Sequence, residues 1–384
     1  MSRTRRRATI LGAAAASVVA GVALLPNWSA GAAVVDDPTV DAQTKATFQR
    51  LADAVFTDRT DALVEGKQGD REKPLAGGFS GHVRLSSGTA RTEDATLSSL
   101  GRRKDKLAKA GEKYSKSTTT VTLNATRVTG RTAKAAVTET TTLTYAQARG
   151  GAPRTTGFQA QHELTFKADE QGTWQLTKVE DTDQGGLAVN TLSKPTSVKA
   201  TTADDTMPNA PRAATTRNPV AVPKTGTAYN YKAMAAYAEK YWSVYNTDYP
   251  NYNGHADGGD CTNFVSQSLK AGGWKHVPGY VYDYTKWFGN ADIQSDSFVG
   301  VNEWSWFAQN SKRTKPLANV FQLEVGDVLQ MDFDKNGSKD HTMIVTSKSG
   351  GVPYVTYHSN NTFRRSVASL VASYPNAAYY AYRT

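Results

Sequence analysis

Gly258-Gly259-Asp260-Cys261-Thr262-Asn263-Phe264-Val265-Ser266-Gln267 runs a glycine pair straight into a helical pattern, and it holds the only cysteine of the 384 residues. Asp260 is placed to cap a helix in which Val265 and Leu269 share one stripe, and Gly272-Gly273 ends it. Cys261 then falls in the first turn, where unpaired N–H groups and the helix dipole favour an anion. A thiol there is expected to titrate below its free value of about 8.5. The same N–H groups can donate to an oxyanion formed during acyl transfer. A lone cysteine has no internal disulfide partner, so the reading it invites is a nucleophile.

A thiol nucleophile needs a base, and four of the six histidines follow residue 228: His255, His276, His341 and His358. His341 opens His-Thr-Met-Ile-Val-Thr, a β-branched run with the character of a core strand. Another strand precedes it, Leu323 to Phe333, and a turn with Asn336-Gly337 lies between the two. Tyr354 to Asn360 reads as a third strand. Folded back as a hairpin, it would bring His358 or Asn360 beside the ring of His341 as an orienting partner. His255 and His276 read as loop residues.

Together, Asp260-Cys261-Thr262-Asn263-Phe264-Val265-Ser266-Gln267, Gly326-Asp327-Val328, Asp340-His341-Thr342-Met343-Ile344-Val345 and Tyr357-His358-Ser359-Asn360 resemble the putative amidase domain family. That family is similar to the CHAP and NlpC-type cell-wall peptidases among the papain-like cysteine hydrolases. The resemblance covers roughly residues 229–384. It implies an α+β fold in which a nucleophile helix packs on a strongly bent antiparallel sheet that carries the base. It places Cys261 as nucleophile and His341 as base. The third position falls on His358 by the NlpC-type pattern, and Asn360 occupies the position that joins the site in the CHAP pattern. Tyr249 or Tyr252 stands where an upstream tyrosine lines the oxyanion side of NlpC-type enzymes. The activity implied is hydrolysis of an amide bond in peptidoglycan or another peptide or amide substrate, with no cofactor and no metal. Two other readings stay open: a non-catalytic cell-wall binding or structural protein, and a thiol acyltransferase of transglutaminase-like chemistry, since one triad serves water and amine acceptors alike.

Composition divides the remainder of the chain. Five of the seven tryptophans and sixteen of the eighteen tyrosines lie after residue 228, while the stretch before it is rich in threonine. Residues 191–228 carry five prolines and little periodic apolar signal, which marks a linker. Before it, residues 36–190 open with Phe48, Leu51, Ala52 and Val55 at helical spacing. Ser117 to Ala125, Thr132 to Tyr145, Phe158 to Lys167 and Thr173 to Val179 then alternate with period two. A small α+β accessory domain with a curved antiparallel sheet is expected here, with His82 and His162 as ordinary strand residues.

The first residues predict export. Arg3, Arg5, Arg6 and Arg7 precede an apolar run from Ile10 to Leu25, and Ala30-Gly31-Ala32 offers a small-residue cleavage site. The run holds about 16 residues, short of the ~20 that a spanning helix needs, so residues 1–32 read as a signal peptide and the protein as secreted, with no stable membrane insertion once it is removed. The formal charge of +10 includes those four arginines. No nucleic-acid-binding signature occurs, and an exported protein is not expected to meet nucleic acid.

Two further features have bland readings. Asp332-x-Asp334-x-Asn336-Gly337, followed by Asp340, imitates the first half of a calcium loop, but Met343 stands where the twelfth-position glutamate belongs. A polar hairpin turn is the expected structure. Trp274, Trp287, Trp304 and Trp306, with Tyr280, Tyr282 and Tyr284, are expected to fill a core before they wall a ligand groove.

Overall fold

Threonine-rich alternation produces the long strands of the first half. The computed structural model describes residues 40–66, 83–148, 150–183, 187–192, 210–225, 228–253 and 259–384. The expected signal peptide, His82 and His255 lie outside these residues. Strand β1 is Val83–Leu85, β2 Tyr114–Thr129, β3 Thr132–Tyr145, β4 Thr155–Ala168 and β5 Trp174–Asp181. In β3 the buried positions alternate, with Ala133, Ala135, Val137 and Leu143 facing inward. Helix α1 (Ala42–Asp61), capped by Asp41, lays Phe48, Leu51, Ala52, Val55 and Phe56 on that face. Phe48 stacks on Phe166 at 3.8 Å between ring centroids.

Helix α2 (Ser87–Lys109) lay beyond the sequence reading, because most of its 23 residues are polar. Its tertiary anchor is an ion pair: Glu93 receives both Nε and Nη2 of Arg59, at 2.8 and 2.7 Å, with both side chains buried. Leu100 and Leu107 supply the apolar contact.

His162 is more than an ordinary strand residue. Its Nδ1 lies 2.9 Å from Asp181 and its Nε2 3.2 Å from Glu139, with the ring stacked on Phe56. Burial opposes its charge, yet the two carboxylates overcome that and hold its pKa up at about 9. A raised histidine pKa stabilises the fold in full below the ordinary value of about 6.5, and that stability is lost as pH rises through about 9. Thermal melts of the wild type and His162→Gln between neutral pH and about pH 10 are therefore expected to converge, with the wild type losing about 3 kcal/mol more than the variant. Parallel curves would contradict this.

The second half holds α3 (Tyr231–Tyr241), α4 (Cys261–Ala271), α5 (Asp296–Val299), α6 (Val301–Asn310) and α7 (Val367–Ser373). Its strands are β6 (Lys315–Leu317), β7 (Val328–Asp332), β8 (His341–Ser349), β9 (Val352–Tyr357), β10 (Thr362–Ser366) and β11 (Ala378–Arg383). The structure is thus mixed α/β, with seven helices among the described residues and a sheet that is antiparallel apart from β1·β5. Strand order runs β1-β5-β4-β10-β9-β8-β7-β11-β6, with β3 and then β2 on the other edge of β4. The compositional boundary is therefore bridged: Thr362 and Phe363 of β10 pair with Phe158 and Gly157 of β4. The described part of the proline-rich stretch also lies on the second half, where the Ala213 N–H reaches the Tyr379 carbonyl and Ala214 bridges to Asn319.

Side chains alternate across β7, β8 and β9 into two layers. Met331, Met343, Val345, Val355 and Tyr357 face a core that includes α7. Val328 and Ile344 face the other, which contains Phe264, Val265 and Leu269 of α4 together with Trp274, Trp287 and Trp304. These three tryptophans are core residues, whereas Tyr280 and Tyr282 stay exposed.

Candidate active site

Gly259 adopts φ 79°, a left-handed turn that glycine takes without steric cost, and it delivers the chain into α4 at Cys261. The helix ends as its sequence predicts, at Gly272, with Gly273 at φ 103°. Helix α3 stops at Tyr241 and leaves Tyr245 in the following loop.

Asp260 stands at the cap position but makes no side-chain cap. Its carboxylate is drawn elsewhere. One oxygen accepts from the Tyr252 N–H at 3.1 Å and from Asn263 Nδ2 at 2.8 Å, and the other lies 2.6 Å from Nδ1 of His358. Asp260 thereby ties the preceding loop, the helix start and the end of β9 together, in a position 1% exposed. Removing one partner of a buried hydrogen bond costs about 1–3 kcal/mol, because the other group is left unsatisfied. Asp260→Ala is expected to lose stability on that scale in urea titrations; a loss under about 1 kcal/mol would show that the contacts are incidental.

Cys261 is 1% exposed. Its sulfur lies 3.7 Å from Thr262 Oγ1, and the backbone N–H of Thr342, the residue after His341 in β8, is near enough to favour the thiolate. The expected depression of the thiol is not found: burial pushes it up, and this outweighs the hydrogen bonds that favour the thiolate.

His341 opens β8 opposite Met331. Thr342 faces α4, where its Oγ1 lies 2.9 Å from that of Thr262, so His341 belongs to the other layer. There its ring meets Tyr357 edge-on at 4.9 Å. Neither ring nitrogen has a hydrogen-bond partner among the described residues, and Nε2 is fully enclosed. Burial, with the Arg365 charge adding to it, pushes its pKa down to about 3, so the resting ring is neutral.

Neither proposed orienting residue bonds to His341. Strand β9 ends at Tyr357, one residue before His358, and Ser359 at φ 97° turns the chain away. The His358 ring instead packs between Phe264 and Tyr245 on the α4 side, with centroids at 4.0 and 4.5 Å. Its Nδ1 faces Asp260 and its Nε2 lies 2.7 Å from the Tyr241 carbonyl, so both nitrogens are committed. Asn360 donates to the Gln159 carbonyl of β4 at 3.2 Å and bonds Thr362, which places it at the junction with the first half.

The tyrosine alternatives separate too. Tyr252 adjoins the helix start through its backbone, with its hydroxyl on Gln294, whereas Tyr249 receives Lys270 Nζ near the far end of α4. His276 sits against Trp287 and Phe298, away from the sulfur's partners. The sequence reading missed Asp260 as a binding group: a cap is a local role, while its partner lies 98 residues downstream.

Residues 228–382 match the family described as Putative amidase domain. YhbB and YjcM of Bacillus subtilis strain 168, both described as uncharacterized proteins, are 34% and 31% identical over 143 residues. Each match covers 35% of this chain, with 44% of YhbB and 31% of YjcM, so the similarity spans less than half of either relative. No solved structure matches the chain.

Proposed function

Residues 228–382 carry a putative amidase domain, and on that premise we propose that the protein hydrolyses an amide bond through an acyl-thioenzyme formed on Cys261. The observation that carries this reading is a division of labour between two histidines. His358 has both nitrogens committed, whereas His341, whose neighbour Thr342 brings its backbone N–H near the Cys261 sulfur, has no hydrogen-bond partner on either nitrogen among the described residues.

In this mechanism the His341 ring, which rests against Tyr357, turns about its side-chain bonds to reach the sulfur and takes the thiol proton as sulfur bonds to the carbonyl carbon, which places the carbonyl π pair on oxygen. Burial disfavours thiolate and imidazolium separately, but the transfer creates them as an attracting pair. Because Asp260 leaves the first turn of α4 without a side-chain cap, the N–H groups there can hold the oxyanion. Collapse of the tetrahedral intermediate breaks the C–N bond, and His341 returns its proton to the departing amine. Water, deprotonated by the same ring, then cleaves the thioester and restores the thiol. Asp260 and His358 brace the helix start without exchanging protons in the reaction. The arrangement accords with a papain-like order of elements, a helix bearing the nucleophile beside a strand opened by the base.

We place the enzyme outside the cell on its arginine-led apolar N terminus, with peptidoglycan as substrate. Purified peptidoglycan treated with the protein is expected to release stem-peptide fragments or new amino groups, detected by mass spectrometry. A digest unchanged for peptidoglycan and for a panel of peptide amides would contradict the reading. One observation favours a cell-wall binding protein without turnover, the 1% exposure of Cys261, and in that case the protein would sediment with peptidoglycan yet release nothing.

A further inference from the structure

The turn between β7 and β8, expected to be a plain polar hairpin, gathers three carboxylates. Oxygens of Asp332, Asp334 and Asp340 lie within 4.8 Å of one another, about twice a calcium–oxygen distance of ~2.4 Å. Asp332 is fully buried, and its two oxygens differ in environment. Oδ2 accepts the Gly337 N–H at 3.0 Å and lies 3.4 Å from the Tyr380 hydroxyl, whereas Oδ1 has no hydrogen-bond partner among the described residues. A buried carboxylate oxygen with no donor pays a desolvation cost that a cation would repay, and three crowded carboxylates repel one another until something positive lies between them.

The turn supplies further oxygen. Spacing from Asp332 puts Asp334, Asn336 and Asp340 at the third, fifth and ninth positions of a calcium loop, with Gly337 at the sixth and at φ 97°. Asp334 and Asn336 hold the loop's shape, Asp334 accepting the Asn336 N–H and Asn336 the Ser338 N–H. Met343 at the twelfth position removes the bidentate glutamate, so water would complete the shell. Such a site is expected to bind in the weaker range typical of extracellular modules, about 10⁻⁴–10⁻³ M.

We propose that Asp332, Asp334 and Asp340, with the Asn336 amide oxygen, form a calcium site that clamps the end of β7 to the start of β8. The proposal concerns metal binding and stands apart from amide hydrolysis. Only its consequence for catalysis, that the clamp fixes the backbone of His341 next to Asp340, rests on the function proposed above.

Two cations compete: Lys339, a buried residue whose Nζ lies 4.6 Å from the centroid of the Tyr380 ring, and Arg212, whose Nη2 donates to the Lys335 carbonyl at 3.1 Å and whose charge acts on Asp332. If either neutralises the cluster, calcium has no place to bind. The test uses the full chain stripped with a chelator, followed by calorimetric titration and thermal melting with calcium, and with magnesium at equal concentration. At about 5 mM calcium the melting temperature is expected to rise by about 2 °C, with less effect from magnesium. Asp332→Asn should abolish both the heat of binding and the shift. Because that residue is buried, exposed Asp334→Asn provides the second variant, expected to weaken binding about tenfold or more. Absence of binding heat and shift in the wild type, an equal response to magnesium, or calcium binding unchanged in Asp334→Asn would overturn the site. Failure of peptidoglycan hydrolysis would leave these readouts untouched.

Discussion

Cys261→Ala is expected to lower amide cleavage by at least about a thousandfold while the protein stays folded. The sulfur is the atom that bonds to the acyl carbon, so no residual covalent route survives its removal. What remains is the weak assistance of helix N–H groups and of bound-substrate orientation. The structural cost is small by comparison. Cys261 lies in a buried layer with one weak contact to Thr262, and deleting one buried sulfur costs about 1 kcal/mol. Rates and urea titrations on the same preparation separate the two effects: activity within about tenfold of wild type would remove the nucleophile from the account. Burial also changes what alkylation should show. A helix-start thiol read locally should react fast at neutral pH, but a sulfur 1% exposed and pushed up by burial should label slowly in the resting protein.

His341→Phe carries the second large expectation. The His341 ring has no hydrogen-bond partner among the described residues and meets Tyr357 edge-on in an apolar layer, so phenylalanine retains the aromatic contact and removes only the nitrogens. Cleavage should fall by roughly 10²–10⁴, the range for loss of a general base, with stability within about 1 kcal/mol of wild type. His358→Phe should behave in the opposite manner. It leaves the buried Asp260 carboxyl group and the Tyr241 carbonyl without their partner, so the loss appears as stability, about 1–3 kcal/mol. A variant pair with these signatures exchanged, rate lost at His358 and stability at His341, would reassign the base.

Much of this was legible in the residues because the signals are local. The Gly-Gly-Asp-Cys start and Gly-Gly end of α4 set its bounds, and period-two threonine alternation located β2 to β5 to within a few residues. Other features depended on partners distant in sequence. Helix α2 is held by Arg59 on Glu93 more than by an apolar stripe, so periodicity gave no sign of it. Two residue pairs join β10 to β4, too few to leave a pattern, yet they extend one sheet across a boundary that composition drew sharply. The helix cap and the lowered thiol failed for a shared reason. Both were local inferences about a helix terminus, and a long-range contact with His358 claimed the Asp260 carboxylate while burial outweighed the dipole at Cys261. Asn360 left the site because Ser359 turns left-handed directly after β9, a conformation that serine rarely signals.

Intact-protein mass spectrometry during turnover bears most directly on the proposed chemistry. Wild-type protein quenched in acid while cleaving a peptide amide should carry one added acyl group, mapped to the peptide containing Cys261 and released by hydroxylamine, with His341→Phe accumulating it far more slowly. Substrate turnover with no such adduct on Cys261, at a rate that Cys261→Ala matches, would contradict an acyl-thioenzyme altogether.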